Sequence, residues 1–132
     1  MNGVELARAF EDLTLDAEKF NHEQHLLLAW HYLRHNPLPE AMILLRDGLL
    51  KLTAHLGATD KYHETITFAI LMLVFERKNH GHEDDFETFK TANPDLFNNW
   101  RMLMESYYSK TLMDSERARK QFVMPDRVAA LV

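Results

Sequence analysis

Lys61-Tyr62-His63-Glu64-Thr65-Ile66-Thr67-Phe68-Ala69-Ile70-Leu71-Met72-Leu73-Val74-Phe75 carries no charge from Ile66 to Phe75, and its apolar side chains fall on almost every side of a helical wheel. A helix apolar all round must be wrapped by other helices or by a partner. The rest of the chain is therefore expected to surround it. His63 and Glu64 stand in its first turn, two residues able to bind metal or move protons.

Working outward from that run, the flanking segments also read as helices. Val4–Phe10 predicts a short first helix, and Asp12 to Phe20 a loop or single turn. Asn21 is a favoured N-cap with Gln24 three positions on, and the helix behind it runs from His22 to about His35. Asn36-Pro37-Leu38-Pro39 breaks it. A third helix follows from Glu40 to about Leu56, with Pro39 suited to its first turn and Gly57 to its C-terminus. Gly48 in its interior costs about 1 kcal/mol of helix propensity, which close approach by a neighbouring helix would explain. Thr59 or Asp60 caps the central helix, which ends near Asn79-His80-Gly81. A minor helix over Glu83–Thr91 comes next. The following one starts at Asn93-Pro94, with a kink near Asn98-Asn99, and continues through Tyr108. A last short helix spans Ser115–Phe122. No β-alternation or repeat occurs. The expected fold is all-α: one domain over residues 1–132, a compact bundle of about six or seven helices around a buried central helix.

Composition narrows the function. A length of 132 residues suits one domain with a real core. The net charge of −5 argues against a nucleic-acid binder, which needs a basic face. No apolar run approaches the roughly 20 residues that cross a bilayer, and no signal-peptide h-region opens the chain. With no cysteine there is no disulfide framework or thiol chemistry, which fits a cytoplasmic protein. Eight histidines make the chain histidine-rich, so any metal site must use imidazole and carboxylate ligands.

Short connections make consecutive helices antiparallel. The helices beginning at His22 and at His63 should then run parallel, with their N-termini at one end of the bundle. His22, His25, His63 and Glu64 would meet there. Three imidazoles and a carboxylate suit a divalent metal such as zinc, iron or manganese, with Glu64 as fourth ligand or general base. Alternatively, two converging helix N-termini form an anion site, with Arg119 or Lys61 holding a carboxylate or phosphate. The plain structural alternative is that imidazoles at helix starts cap backbone groups and do nothing else. His22-Glu23-Gln24-His25 is one residue short of the zincin H-E-x-x-H, and a zincin protease is rejected. A ferritin-like di-iron site is unsupported because the central helix offers no core carboxylates. His80-Gly81-His82 before Glu83-Asp84-Asp85 reads as a helix end followed by an acidic helix start.

Phe20-x-His22-x-x-His25-Leu26, Lys61-Tyr62-His63-Glu64-Thr65-x-Thr67 and Ala118-Arg119-x-x-Phe122-Val123-x-Pro125-Asp126 together resemble a family of small, uncharacterised all-α bacterial proteins. The resemblance covers Phe20 to Asp126. It implies no activity, only that His22, His25, His63, Glu64 and Arg119 fall within the characteristic blocks.

Two functions are thus expected to compete. One is a metal-dependent enzyme acting on a small molecule, with His22, His25, His63 and Glu64 as ligands, Glu64 and Arg119 serving the chemistry. The other is a non-enzymatic binding or interaction module for an anionic small molecule or a protein partner. The second apolar arc of the central helix, Phe68, Leu71, Met72 and Phe75, is covered either by the chain's own helices or by a second copy in a homodimer.

Overall fold

Asn2 opens the first helix, α1 (Gly3–Glu11), through a reciprocal cap: its side chain accepts from Glu5 N at 2.9 Å and Glu5 accepts from Asn2 N at 3.1 Å. The computed structural model describes residues 1–80 and 85–127, and the statements below concern those residues. After a 3₁₀ turn at Ala17–Lys19, Asn21 caps α2 (His22–His35), accepting from Gln24 N at 3.0 Å. Pro37 begins α3 (Leu38–His55) with Pro39 inside its first turn, two residues earlier than the Glu40 start expected. Gly57, at φ +66, closes α3 with bonds from Gly57 N to Ala54 O and from Ala58 N to Thr53 O. That is the Schellman pattern, which favours glycine because the left-handed region carries no Cβ penalty there.

A second 3₁₀ turn, Thr59–Lys61, precedes α4 (Glu64–His80). Thr59 and Asp60 therefore do not cap α4 as expected. His63 does, its Nδ1 accepting from Ile66 N at 3.1 Å. The rest of the chain is shorter pieces: α5 (Phe86–Ala92), α6 (Pro94–Asn98), α7 (Trp100–Glu105), α8 (Lys110–Met113) and α9 (Glu116–Lys120). The kink expected at Asn98-Asn99 is a full break between α6 and α7. α7 stops at Glu105, short of Tyr108, and α8 was not expected at all. The His80–Asp84 acidic-histidine motif falls on residues whose side chains lie outside the description; Asp85, just past it, caps α5 by accepting from Thr88 N at 2.8 Å.

The fold is an all-α bundle. α2 packs on α1, α3, α4 and α6, and α4 packs on α2, α3 and α9. The two share the centre. α2 buries Leu26, Leu27, Leu28, Ala29, Trp30, Tyr32 and Leu33, almost its whole circumference beyond the first turn. α4 buries Ile70, Leu71 and Val74 along one side, while Met72 is 45% exposed on another. Part of its second arc is covered internally: Leu71 is fully buried, and the Phe68 ring lies 5.5 Å from Phe122. Gly48 faces the Phe10 ring so closely that an added Cβ would fall 2.1 Å from Phe10 Cε2. Close approach does explain this glycine. Among the described residues, no helix is long and apolar enough to cross a membrane.

Two ion pairs fix the short helices to the long ones. Arg77 of α4 grips Asp95 at the start of α6 through two bonds, 2.5 and 2.8 Å. Lys90 of α5 reaches Glu23 of α2 at 2.7 Å. The last segment, residues 121–127, runs back across α4. Thr65 Oγ1 donates to Gln121 O at 2.9 Å and accepts from Val123 N at 3.2 Å, and Tyr108 donates to Val123 O at 2.8 Å.

Candidate ligand cavity

His63 is fully committed to the backbone. With Nδ1 accepting from Ile66 N, the ring proton sits on Nε2, which donates to Met113 O at 2.7 Å. Neither nitrogen retains a lone pair for a metal. His22 is committed through one nitrogen: its Nε2 donates to Leu96 O at 3.0 Å, and its ring stacks on Trp100, 4.7 Å between centroids. Burial holds its pKa below the usual histidine value, against the raising effect of the Leu96 carbonyl.

Glu64 is buried and accepts from Tyr62 Oη and from Arg46 Nε, the latter at 3.0 and 3.1 Å. Burial, and then the bond to Glu64, push the Tyr62 pKa up, so the phenol stays protonated and donating. Arg119 donates to Asp60 O at 2.5 Å and to Tyr62 O at 3.5 Å. It thereby ties α9 to the turn before α4.

The four side chains expected to share a metal are thus not gathered into one shell. Among the described residues, no group of three or more histidines, aspartates or glutamates is placed to hold a metal ion. Glu64 is an ion-pair partner rather than an open base, and Arg119 a backbone tie. Glu64 and Arg119 do line one polar cleft with Arg46, Tyr62 and Lys120, of about 600 Å³. Its carboxylates Asp60, Glu64 and Glu116 match its three cations one for one, so it presents no net charge to an anion.

His25 is different. Its ring stacks on Phe20 at 4.1 Å between centroids, and neither ring nitrogen has a hydrogen-bond partner among the described residues. The ring is enclosed by protein yet keeps surface toward a cavity of about 580 Å³. Burial, and then the neighbouring His22, lower its pKa to about 4, so the imidazole is neutral at pH 7. The cavity lies between α2, α3 and the first turns of α4. Leu45, Leu49, Leu52 and Ile70 are its buried apolar wall, and exposed Lys61, Ala17 and Leu56 edge it. His63 and Tyr62 also line it. The expected meeting of the α2 and α4 N-terminal regions is therefore realised as a shared cavity wall.

The two threonine hydroxyls of that wall have their own donors in use. Thr53 Oγ1 donates to Leu49 O at 2.9 Å, and Thr67 Oγ1 to His63 O at 2.8 Å. Sequence reasoning did not pick out Thr53 or Arg46. A carboxylate at the start of an apolar helix does call for a nearby cation, and that was the one available signal for Arg46. Phe20 belonged to a quoted block but was given no role. Comparison with protein-family models, with curated proteins and with solved structures finds no match for this chain.

Proposed function

We propose that the protein is a non-enzymatic binding module for a small, mostly apolar molecule, held in the cavity between α2, α3 and α4. The unpartnered imidazole of His25 in that apolar wall is the observation that carries this. The ring is half-buried and keeps surface toward the cavity, so a ligand that hydrogen-bonds to it takes up a donor and an acceptor that the protein leaves unused. Volume points the same way, since pockets for small molecules run from about 300 to 1,000 Å³ and combine an apolar lining with a few polar groups.

The neutral fluorophore N-phenyl-1-naphthylamine is a suitable probe. Saturable binding of one probe per chain is expected, with loss of binding in Thr53→Trp, which fills the cavity from α3. No saturable emission change, or equal binding by a folded Thr53→Trp variant, overturns the proposal.

A further inference from the structure

We infer that the cavity selects an uncharged ligand bearing a hydrogen-bond donor, a hydroxyl on an apolar body, which pairs with His25. The inference rests on the cavity being a ligand site and adds the chemical class of what enters it.

The hydrogen-bonding capacity left in the wall carries it. Thr53 and Thr67 have turned their hydroxyl hydrogens onto the helix carbonyls of Leu49 and His63, and Tyr62 has turned its own onto Glu64. Each of these oxygens keeps lone pairs and has no proton left to give. His63 Nδ1 is closed by Ile66 N–H, and its Nε2 hydrogen by the Met113 carbonyl. What remains inside the rim is one neutral imidazole, with one donor and one acceptor, among acceptor oxygens, while the exposed Lys61 ammonium stands at the edge. The wall is therefore rich in acceptors and short of donors. A ligand carrying only a carbonyl or ether finds one donor there, whereas a hydroxyl matches either nitrogen of His25 and any of the oxygens.

Charge is excluded from both sides. No carboxylate lines the cavity, so an ammonium group would be desolvated without a counter-ion, with Lys61 at the edge opposing it. An anion would meet that one exposed lysine and otherwise lone pairs. Phe20, stacked on His25, supplies a flat apolar surface beside the polar contact.

Three molecules of similar size separate the classes: 4-ethylphenol, ethylbenzene and 4-ethylbenzoate, each competed against N-phenyl-1-naphthylamine on the full chain. The expected order places 4-ethylphenol at least tenfold tighter than ethylbenzene, with 4-ethylbenzoate weakest. In His25→Phe the advantage of the phenol should fall to about twofold or less, while ethylbenzene still binds. His25→Gln, which keeps a donor and an acceptor, should retain a preference for the phenol. Equal affinity for phenol and ethylbenzene, a preference that survives His25→Phe, or tightest binding by the benzoate overturns the hydroxyl assignment and leaves the cavity itself standing. Failure of all three to displace the probe, together with failure of the probe to bind, overturns the cavity reading with it.

Discussion

At the start of α4, the buried and half-buried polar side chains have their partners: His63 bonds Ile66 N and Met113 O, Glu64 is held by Arg46 and Tyr62, and Thr65 joins Gln121 and Val123. In α2, His25 is half-buried, as His63 is, and has none among the described residues. The two regions contain similar residue types at adjacent places in the core. Their roles differ because one set closes hydrogen bonds between chain segments and the other is left facing a cavity. A buried polar group that is satisfied holds a structure together; one that is not satisfied is a candidate for contact with something else.

Acid should break the comparison most strongly. The unfolded chain protonates histidine near pH 6.5, while folded His25 resists protonation until about pH 4. Stability is thus complete above about pH 6.5 and falls as pH drops toward 4, because the unfolded state takes up the proton first. The full loss is about 3 kcal/mol at about 1.4 kcal/mol per pH unit. His22 and His31, also lowered by burial, add to the slope in the same direction. Denaturant melts of wild type and His25→Phe at pH 7.5 and pH 4.5 check this: the variant should lose much less than wild type on acidification.

Next in size is Thr65→Val, which keeps the shape and deletes the hydroxyl. It leaves the Val123 N–H and Gln121 carbonyl without their partner at a fully buried site. About 2 kcal/mol of stability should be lost, or roughly 6–8 °C in thermal midpoint for a chain of this size. His63→Ala should cost about 1.5 kcal/mol by removing a helix cap and a bond to Met113 O. Probe binding should be little changed, since His63 has no free nitrogen to offer. A thermal melt paired with a probe titration separates those two outcomes. The smallest effect should come from His25→Phe at pH 7.5, within about 1 kcal/mol of wild type by denaturant melt, because no internal hydrogen bond is removed. A large destabilisation there would show that His25 is structural, and the contrast between the two helices would collapse.

Local signals made much of the bundle legible in the sequence. Asn21, Gly57 and Ser115 act through residues within a few positions, so their caps and stops can be read without knowing the fold. Ser115, for example, accepts from Ala118 N at 3.1 Å. That the N-terminal parts of α2 and α4 line one cavity was also accessible, since two short connections lead there. The fine structure of the site was not. Arg46 meets Glu64 across a turn 18 residues away, and Thr65 meets Val123 across 58. No spacing rule covers partners at such separations. His63 and His25 look alike in one dimension, and the Ile66 N–H together with the carbonyl of Met113, brought in by α8, tells them apart. The break between α6 and α7 hides in a stretch whose composition suits a single helix.

The contact between Gly48 and Phe10 has a consequence for how this sequence can change. The space for a methyl group on α3 is already occupied by the edge of a ring on α1. The amino acids acceptable at one position are therefore set by the occupant of the other. In a library randomised at both, alanine at 48 should be recovered together with a smaller residue at 10 and rarely beside phenylalanine. The two codons, 38 positions apart, would be inherited as a pair.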